Sequence, residues 1–355
     1  MQFASDNTSG VPGPVLESLG RANEGYAMGY GGDALTTQVR DRLRDLFEAP
    51  QAEVRLVTTG TAANALALAV LTPPWGAIWC HDAAHIECDE CGAPEFFVGG
   101  AKLITMPGDH GRIVADTLDN SLARAPRSVH NIQPAALSLS NLTEAGTLYD
   151  PDHLARLCTV ARRHGLGVHL DGARFANALA ASGASPAEAS WKAGVDVLCL
   201  GGTKNGLMGA EAVMIFDPAR AAEFDLRRKR AGHLLSKHRY LAAQFLPWLG
   251  DGLWLTLAQR ANAAAERLAK GLAALPGVTL RHPVEGNMIF VDWPEDLARH
   301  LRTNGAVFYD APGPGTPPTS GARLVASWDT DPRQIDAFLQ LARDIPADAM
   351  AAGTG

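Results

Sequence analysis

The sequence reads Val195-Asp196-Val197-Leu198-Cys199-Leu200-Gly201-Gly202-Thr203-Lys204-Asn205-Gly206 near the middle of the chain. The first half of this segment is short, apolar and β-branched, which predicts a buried strand. The second half is a glycine-flanked turn that carries Lys204. A lysine at the end of a buried strand is unusual, because an ammonium group is costly to desolvate and a desolvated lysine is a nucleophilic amine. The segment predicts either a catalytic Lys204 or a lysine that closes a tight surface loop.

Strands and helical patterns alternate on both sides of this segment. Strands are predicted at residues 54–57, 77–80, 101–106, 135–140, 167–170, 195–200 and 211–216. The alternation predicts an α/β fold with a mostly parallel sheet that helices cover on both faces. A long helical span and a few later strands predict a smaller α+β domain. We expect an N-terminal arm at residues 1–13, a large domain at 14–240 and a small C-terminal domain at 241–355.

The composition argues against several classes of protein. The chain has 355 residues, which suggests two domains. It carries 38 acidic and 31 basic residues, and a net charge of −7 argues against a nucleic-acid binder. It shows no membrane-spanning apolar run and no signal-peptide pattern, and its five unevenly placed cysteines suit a reducing compartment. We therefore expect a cytoplasmic protein without membrane contact.

Two further segments place polar groups at strand ends. Asp171 follows the predicted strand 167–170, and ligands of open α/β sheets bind at the carboxyl ends of strands. Together with Lys204 it fits a site for pyridoxal phosphate (PLP), in which a carboxylate keeps the pyridine nitrogen protonated. The alternative is an aspartate that caps the next helix. The segment Thr59–Asn64 joins a strand to a helix N-terminus, which is typical of a phosphate site or of an ordinary capped helix.

The segment His81–Cys91 holds four side chains that can bind metals, His81, His85, Cys88 and Cys91. Their spacing resembles a zinc site, although all four ligands would come from one short stretch. The alternative is that His85 is an aromatic plate and the cysteines pack in a loop. We expect no metal.

Arginines supply two further candidates. Arg323 interrupts the apolar strand Ala322–Val325, where it could clamp a carboxylate or point to solvent. The basic run Arg227–Arg230 could be a solvated helix face or a phosphate contact.

Taken together, these motifs resemble the L-threonine aldolases, which are fold-type-I PLP enzymes of the β-eliminating-lyase group. In chain order, the resemblance rests on Ser5–Thr8, Tyr30–Asp33, Thr59–Asn64, His85-Ile86, Asp171–Arg174 and Gly201–Gly206. The segments His85–Gly92 and Gly232–His238 resemble the branch that includes bacterial phenylserine aldolases. Gly232–His238 differs from the glycine-rich, arginine-bearing segment of many members.

The resemblance implies roles for the matching residues. Lys204 would carry PLP covalently, Asp171 would bind the pyridine nitrogen, and His85 would stack on the ring. The phosphate would be held by Gly60 and Thr61 and, from the neighbouring subunit, by Arg228, whose role the departure at Gly232–His238 leaves open. The residues expected to bind substrate are Ser5, Tyr30, Arg174 and Arg323, of which Arg174 also lies near the cofactor. His130 would lie near the substrate hydroxyl.

The resemblance also implies an activity, the cleavage of L-β-hydroxy-α-amino acids such as threonine, allo-threonine and phenylserine to glycine and an aldehyde. The base that takes the hydroxyl proton could be His85, His130 or a bound water. The alternatives are a β-eliminating lyase or an aminotransferase of the same fold, or a zinc-bearing binding protein built around His81–Cys91. Members of the family are dimers or dimers of dimers with shared active sites, so we expect a homo-oligomer, as in a homotetramer.

Overall fold

A seven-stranded sheet lies at the centre of the larger domain in this computed structural model, which describes residues 1–311 and 319–344. Its strands are β1 (Glu53–Val57), β2 (Gly76–His81), β3 (Lys102–Met106), β4 (Gln133–Ser140), β5 (Gly167–Gly172), β6 (Val197–Gly201) and β7 (Glu211–Ile215). Their order across the sheet is β1-β7-β6-β5-β4-β2-β3. The five strands from β3 to β6 pair in parallel, and β7 runs antiparallel to both of its neighbours. The predicted mostly parallel sheet is confirmed.

Helices cover both faces of this sheet. They are α1 (Gly13–Ala22), α2 (Ala34–Leu46), α3 (Gly60–Leu71), α4 (His85–Cys88), α5 (Ala93–Val98), α6 (Ala115–Arg124), α7 (Pro151–Arg163), α8 (Phe175–Ser182), α9 (Ala221–Arg230) and α10 (Arg239–Leu249). Every residue of α3 from Ala62 to Leu71 is buried. Its many alanines form a helix readily and have small side chains, so the helix can lie close against the sheet.

A second, antiparallel sheet forms the smaller domain. After α11 (Leu253–Ala273) the chain forms β8 (Thr279–Leu280), β9 (Met288–Pro294), α12 (Glu295–Thr303), β10 (Tyr309–Asp310), β11 (Thr319–Val325) and α13 (Pro332–Arg343). The strand order is β10-β11-β9-β8. The N-terminal arm belongs to this domain, because Phe3 is fully buried there and its backbone bonds Val307 and Val325 at 2.8 Å each.

The hydrophobic cores divide inside α11, later in the chain than the expected boundary near residue 240. Leu257 and Ala258 pack in the core of the larger domain, as do residues of α10. Ala265 and Leu268 pack in the core of the smaller domain. The one long helix therefore serves both cores.

One edge of the large sheet collects the carboxyl ends of β1, β2, β4, β5 and β6, because these strands run in the same direction. The register sets Ser140 beside Asp171, and Gly201 beside Glu211 at the start of β7.

Among residues 1–311 and 319–344, the helices all fall short of the length and apolarity that a membrane crossing requires.

Candidate active site

Lys204 lies in a short 3-10 turn, Thr203–Asn205, immediately after β6. The turn needs glycine at Gly201, because a Cβ there would lie 2.5 Å from the carbonyl oxygen of Ala173. Glu211 holds the turn from the neighbouring strand: its carboxylate accepts the hydroxyl proton of Thr203 at 2.5 Å and the N–H of Gly202 at 2.7 Å. Burial raises the pKa of Glu211 to about 7. These contacts fix the backbone from which Lys204 projects.

The turn opens onto a cleft of about 260 Å³ that brings together five predicted site residues, Gly60, Thr61, His85, Asp171 and Lys204. The remaining lining residues are Asn7, Thr58, Thr59, Asn64, Glu90, Ala173, Thr203 and Glu211. The cleft lies at the carboxyl edge of the sheet, where the strand ends predicted it.

Asp171 is buried at this edge, with about 5% of its surface exposed. Its Oδ1 accepts the N–H of Ala173 at 2.9 Å, and its Oδ2 accepts a proton of the Asn64 amide at 2.8 Å. The carboxylate is thus fixed in orientation by one backbone bond and one side-chain bond.

His85 begins the short helix α4 after β2 and lines the same cleft. Its Nδ1 lies 2.8 Å from Oε1 of Glu90. This hydrogen bond raises the pKa of His85 above its ordinary value, although burial opposes the rise. Glu144 and Asp171 also raise this pKa and Lys204 lowers it, so all three act on His85 electrostatically.

The N-terminus of α3 faces the cleft. Thr59 caps the helix by accepting the N–H of Ala62 at 3.2 Å. A Cβ on Gly60 would meet no atom within 4 Å, so the backbone here borders open space. The first N–H groups of a helix have no partner inside the helix, and they favour an anion.

Arg174 is buried beside the cleft and pairs with Asp6 of the N-terminal arm at 2.7 and 3.0 Å. Burial alone would lower the pKa of Arg174, but Asp6 raises it above its ordinary value. The amide of Asn287, from the smaller domain, donates to the same carboxylate at 3.0 Å. Asp6 therefore joins the arm, the larger domain and the smaller domain.

Arg323 reaches this cluster from β11. Its Nη2 lies 3.4 Å from the carbonyl oxygen of Ala4, and its Nε is buried without a partner among the described residues. Burial lowers the pKa of Arg323, and the charge of Arg174 lowers it further. A buried guanidinium, that of Arg174, and a half-buried one, that of Arg323, are together suited to bind a carboxylate.

Three other predicted residues do not line the cleft of this single chain. Ser5 caps a short 3-10 turn by accepting the N–H of Asn7 at 3.1 Å. Tyr30 is about half exposed in the loop before α2, with Nζ of Lys229 lying 4.9 Å from its ring centre. Arg228 is buried and bonds Leu56 and Asp225.

His130 lies at the opposite edge of the sheet from the cleft, whereas the resemblance implied a position near the substrate hydroxyl. It is exposed in the loop that precedes β4, and the cleft lies beyond the other end of that strand. An eight-residue strand spans roughly 26 Å. Within one chain, His130 is too far from the cleft to act there.

The side chains of the suspected zinc stretch have separate partners. His81 donates through Nε2 to the carbonyl oxygen of Gly108 at 2.9 Å, whereas His85 bonds Glu90. Across the described ranges 1–311 and 319–344, no group of three or more His, Cys, Asp or Glu side chains is arranged to hold a metal ion.

Several polar residues at the site were not predicted as site residues, namely Asp6, Asn64, Glu90, Glu144, Glu211 and Asn287. Asp6, Asn64 and Glu90 lie inside motifs that the sequence analysis quoted, so their position was available but their contacts were not. Glu144 follows the carboxyl end of β4, as Asp171 and Lys204 mark the ends of β5 and β6. The strand-end rule could have identified it.

The arrangement of Gly60, Asp171 and Lys204 around the cleft fits bound PLP. The open space beside Gly60 suits a phosphate at a helix N-terminus. A fixed carboxylate, Asp171, and an amine, Lys204, line the same cleft, as the pyridine nitrogen and the aldehyde of PLP require.

Comparison with known proteins agrees with this geometry. The family model described as beta-eliminating lyase matches residues 2–294. The chain belongs to this family. It is 44% identical to a low specificity L-threonine aldolase of Pseudomonas aeruginosa, over 97% of this chain and 96% of that protein. A second relative from Pseudomonas sp., with the same description, is 42% identical over 98% of this chain and 97% of its own length.

The fold of this chain also resembles that of a solved threonine aldolase structure. The threonine aldolase of Leishmania major superposes with a TM-score of 0.91 at 29% identity, covering 96% of this chain and 98% of that one. The fold is therefore that of the fold-type-I PLP enzymes.

Proposed function

We propose that this protein is a PLP-dependent aldolase that cleaves L-β-hydroxy-α-amino acids of the threonine, allo-threonine and phenylserine type to glycine and an aldehyde. The observation that carries the proposal is the meeting of Lys204, Asp171, His85 and the open N-terminus of α3 in one cleft. The high identity to two low specificity L-threonine aldolases supports the same activity.

When bound, PLP supplies an electron sink for the electrons of the Cα–Cβ bond. Lys204 would provide the amine that holds the cofactor, and Asp171 would stabilise the protonated form of its pyridine nitrogen. Gly60 and Thr61 would offer backbone N–H groups to the phosphate. His85 would stack on the ring.

Two arginines, Arg174 and Arg323, are proposed to orient the substrate. Arg323 and Arg174 would bind the α-carboxylate and so fix the orientation of the substrate in the cleft. Asp6 already occupies two nitrogens of Arg174, so Arg323, with its unpartnered buried Nε among the described residues, is the stronger anchor.

The hydroxyl proton of the substrate goes to His85. Its Nδ1 bonds Glu90, which leaves Nε2 as the nitrogen available to the cleft. An imidazole titrates near neutral pH and suits this transfer. The charge of Glu144 contributes to the raised pKa of His85.

The test is product analysis with threonine, allo-threonine and phenylserine in the presence of PLP. Glycine and the matching aldehyde should appear in equal amounts. A keto acid with ammonia would indicate β-elimination instead, and a requirement for a keto-acid acceptor would indicate transamination; either result would refute the proposed activity.

We infer that two copies of the chain share their sites. Large apolar side chains are exposed in the loop before α2, at Tyr26, Met28 and Tyr30, and Met208 is exposed four residues after Lys204. Thr58, which lines the cleft, lies 3.2 Å from Nδ1 of His233, and Ser236 bonds the N–H of Tyr30 at 3.0 Å. A second copy on this surface would bury the apolar groups beside the cleft. Tyr30 and Arg228 would then serve the partner's site.

Light scattering of the purified protein gives the number of subunits.

Co-expression of two inactive variants, Lys204→Ala and Tyr30→Ala, tests whether two subunits share their active sites. If Tyr30 serves the partner's site, mixed dimers hold one intact site, so the mixture should regain about a quarter of wild-type activity. A monomer in solution would exclude shared sites.

A further inference from the structure

Glu90 is a buried carboxylate behind the cleft. Its side chain has no exposed surface, and it follows α4 by two residues. Its Oε1 is 2.8 Å from Nδ1 of His85 and 2.8 Å from Nδ2 of Asn64. Its Oε2 is buried with no partner among the described residues. Burial of a carboxylate is costly unless charge or hydrogen bonds compensate it, so the bond from a protonatable imidazole has a large effect here.

Asn64 links Glu90 to Asp171, the carboxylate that would bind the pyridine nitrogen of PLP. One amide group donates to Oε1 of Glu90 and to Oδ2 of Asp171, each at 2.8 Å. Because ionised carboxylates only accept hydrogen bonds, the amide nitrogen and not the oxygen must face both of them. His85, Glu90, Asn64 and Asp171 thus form one continuous chain of hydrogen bonds.

We propose that Glu90 is a positioning residue that accepts the hydrogen bond from Nδ1–H of His85, fixes the plane of its ring, and directs Nε2 toward the substrate hydroxyl. The proposal rests on the proposed function, since it assigns His85 to that hydroxyl. Glu90 acts through His85 and Asn64 and not on the substrate itself.

The electrostatics around His85 give the sign of the effect. The hydrogen bond to Glu90 is the largest cause that raises the pKa of His85, while burial lowers it, Glu144 and Asp171 raise it, and Lys204 lowers it. Burial raises the pKa of Glu90 itself, and its bonds to His85 and Asn64 oppose that rise. Removing the charge of Glu90 should therefore lower the pKa of His85.

The variant Glu90→Gln removes the negative charge of the side chain but keeps its size and its hydrogen-bonding oxygen. Glutamine keeps one oxygen that can accept from both His85 and Asn64, so the ring stays supported while the charge is lost. Glu90→Ala removes both. Glu87→Gln is the matched control. Glu87 lies in the same short helix as His85, α4, but its side chain is exposed and makes no hydrogen bond to His85 among the described residues.

The first measurement does not depend on activity. Diethyl pyrocarbonate modifies unprotonated imidazole, so its rate at the His85 peptide, followed by mass spectrometry across pH in the PLP-loaded protein, reports the pKa of His85. In Glu90→Gln the midpoint should move to lower pH than in wild type, and in Glu87→Gln it should stay. The acid limb of the kcat/KM profile for threonine should move in the same direction, because a lower pKa leaves His85 unprotonated at lower pH.

Glu90→Ala should also lower kcat, by about 100-fold, because a misplaced catalytic group costs roughly that much, while KM changes little. An unchanged labelling midpoint in Glu90→Gln would overturn the proposal, and so would an equal shift in Glu87→Gln. Failure of the wild-type protein to release aldehyde would refute the proposed function separately, since the labelling midpoint does not depend on turnover.

Discussion

Replacing Asp6 with alanine should leave the guanidinium of Arg174 buried without its counter-ion. Asp6 is about 1% exposed and Arg174 about 7%, and the two are joined by bonds of 2.7 and 3.0 Å. The change also removes the acceptor for Asn287, so the contact between the arm and both domains is lost.

The expected cost follows from this burial. Removing one partner of a buried ion pair destabilises a protein by about 3–5 kcal/mol. The entropy of unfolding is about 2.1 cal/mol/K per residue, or roughly 0.75 kcal/mol/K for 355 residues. The ratio predicts a fall in Tm of about 4–7 °C. Because Arg174 also loses its orientation, KM for threonine should rise.

The effect should depend on pH in one direction. Burial alone would raise the pKa of Asp6, but Arg174, Lys204 and the hydrogen bonds lower it below its ordinary value. The pair therefore stabilises the fold above the ordinary aspartate range and loses this effect as pH falls through the depressed pKa. The Tm difference should be constant between about pH 6 and 8 and should shrink below about pH 4.

Calorimetry of the PLP-loaded protein measures these shifts. The control is Glu17→Ala, which removes an exposed pair with Arg21 at 3.9 Å and should move Tm by less than about 1 °C. If Asp6→Ala changes Tm by no more than the control, and KM for threonine is unchanged, the reasoning is refuted.

Four further changes test the site. Lys204→Ala should abolish turnover and remove the visible absorbance that survives dialysis, because no other cleft-lining residue is a lysine; retained absorbance and activity would exclude it as the cofactor lysine. Asp171→Asn should keep PLP bound in an equilibrium titration but lower kcat by about 100-fold or more, because a neutral pyridine is a poor electron sink; a near-normal kcat would mean that another group protonates the ring. His130→Phe should leave kcat and KM within about twofold, since His130 is exposed at the far edge of the sheet; a large loss would require a partner subunit to bring it to the cleft. Glu144→Gln should lower kcat/KM by roughly tenfold without loss of PLP, because its charge acts on His85 and both arginines; wild-type kinetics would remove it from the site.

The sheet and the position of the cleft could be predicted because their signals are local. An apolar run that ends in glycine and a polar residue marks a strand end, as at Gly201 and Lys204. Parallel strands then place such ends at one edge. Strand limits shifted by only a few residues, as where the strand predicted at 195–200 is observed at Val197–Gly201.

The contacts within the site could not be predicted in the same way, because they join distant parts of the chain. Asp6 meets Arg174 and Asn287 through folding of the arm onto both domains. The family resemblance predicted that Arg174 binds the substrate carboxylate but gave no sign that a buried aspartate already occupies two of its nitrogens.

His130 and Glu144 show how the strand-end rule should have been applied. Both flank the same strand, β4, and the family resemblance placed the histidine near the substrate hydroxyl. Direction along the strand decides otherwise: residues before a parallel strand lie at its amino edge, and residues after it lie at the carboxyl edge, where Asp171 and Lys204 are. Glu144 satisfies this condition and His130 does not. We therefore propose that the proton of the substrate hydroxyl is handled by groups that follow β2 and β4, namely His85, which bonds Glu90, with the charge of Glu144 raising the pKa of His85.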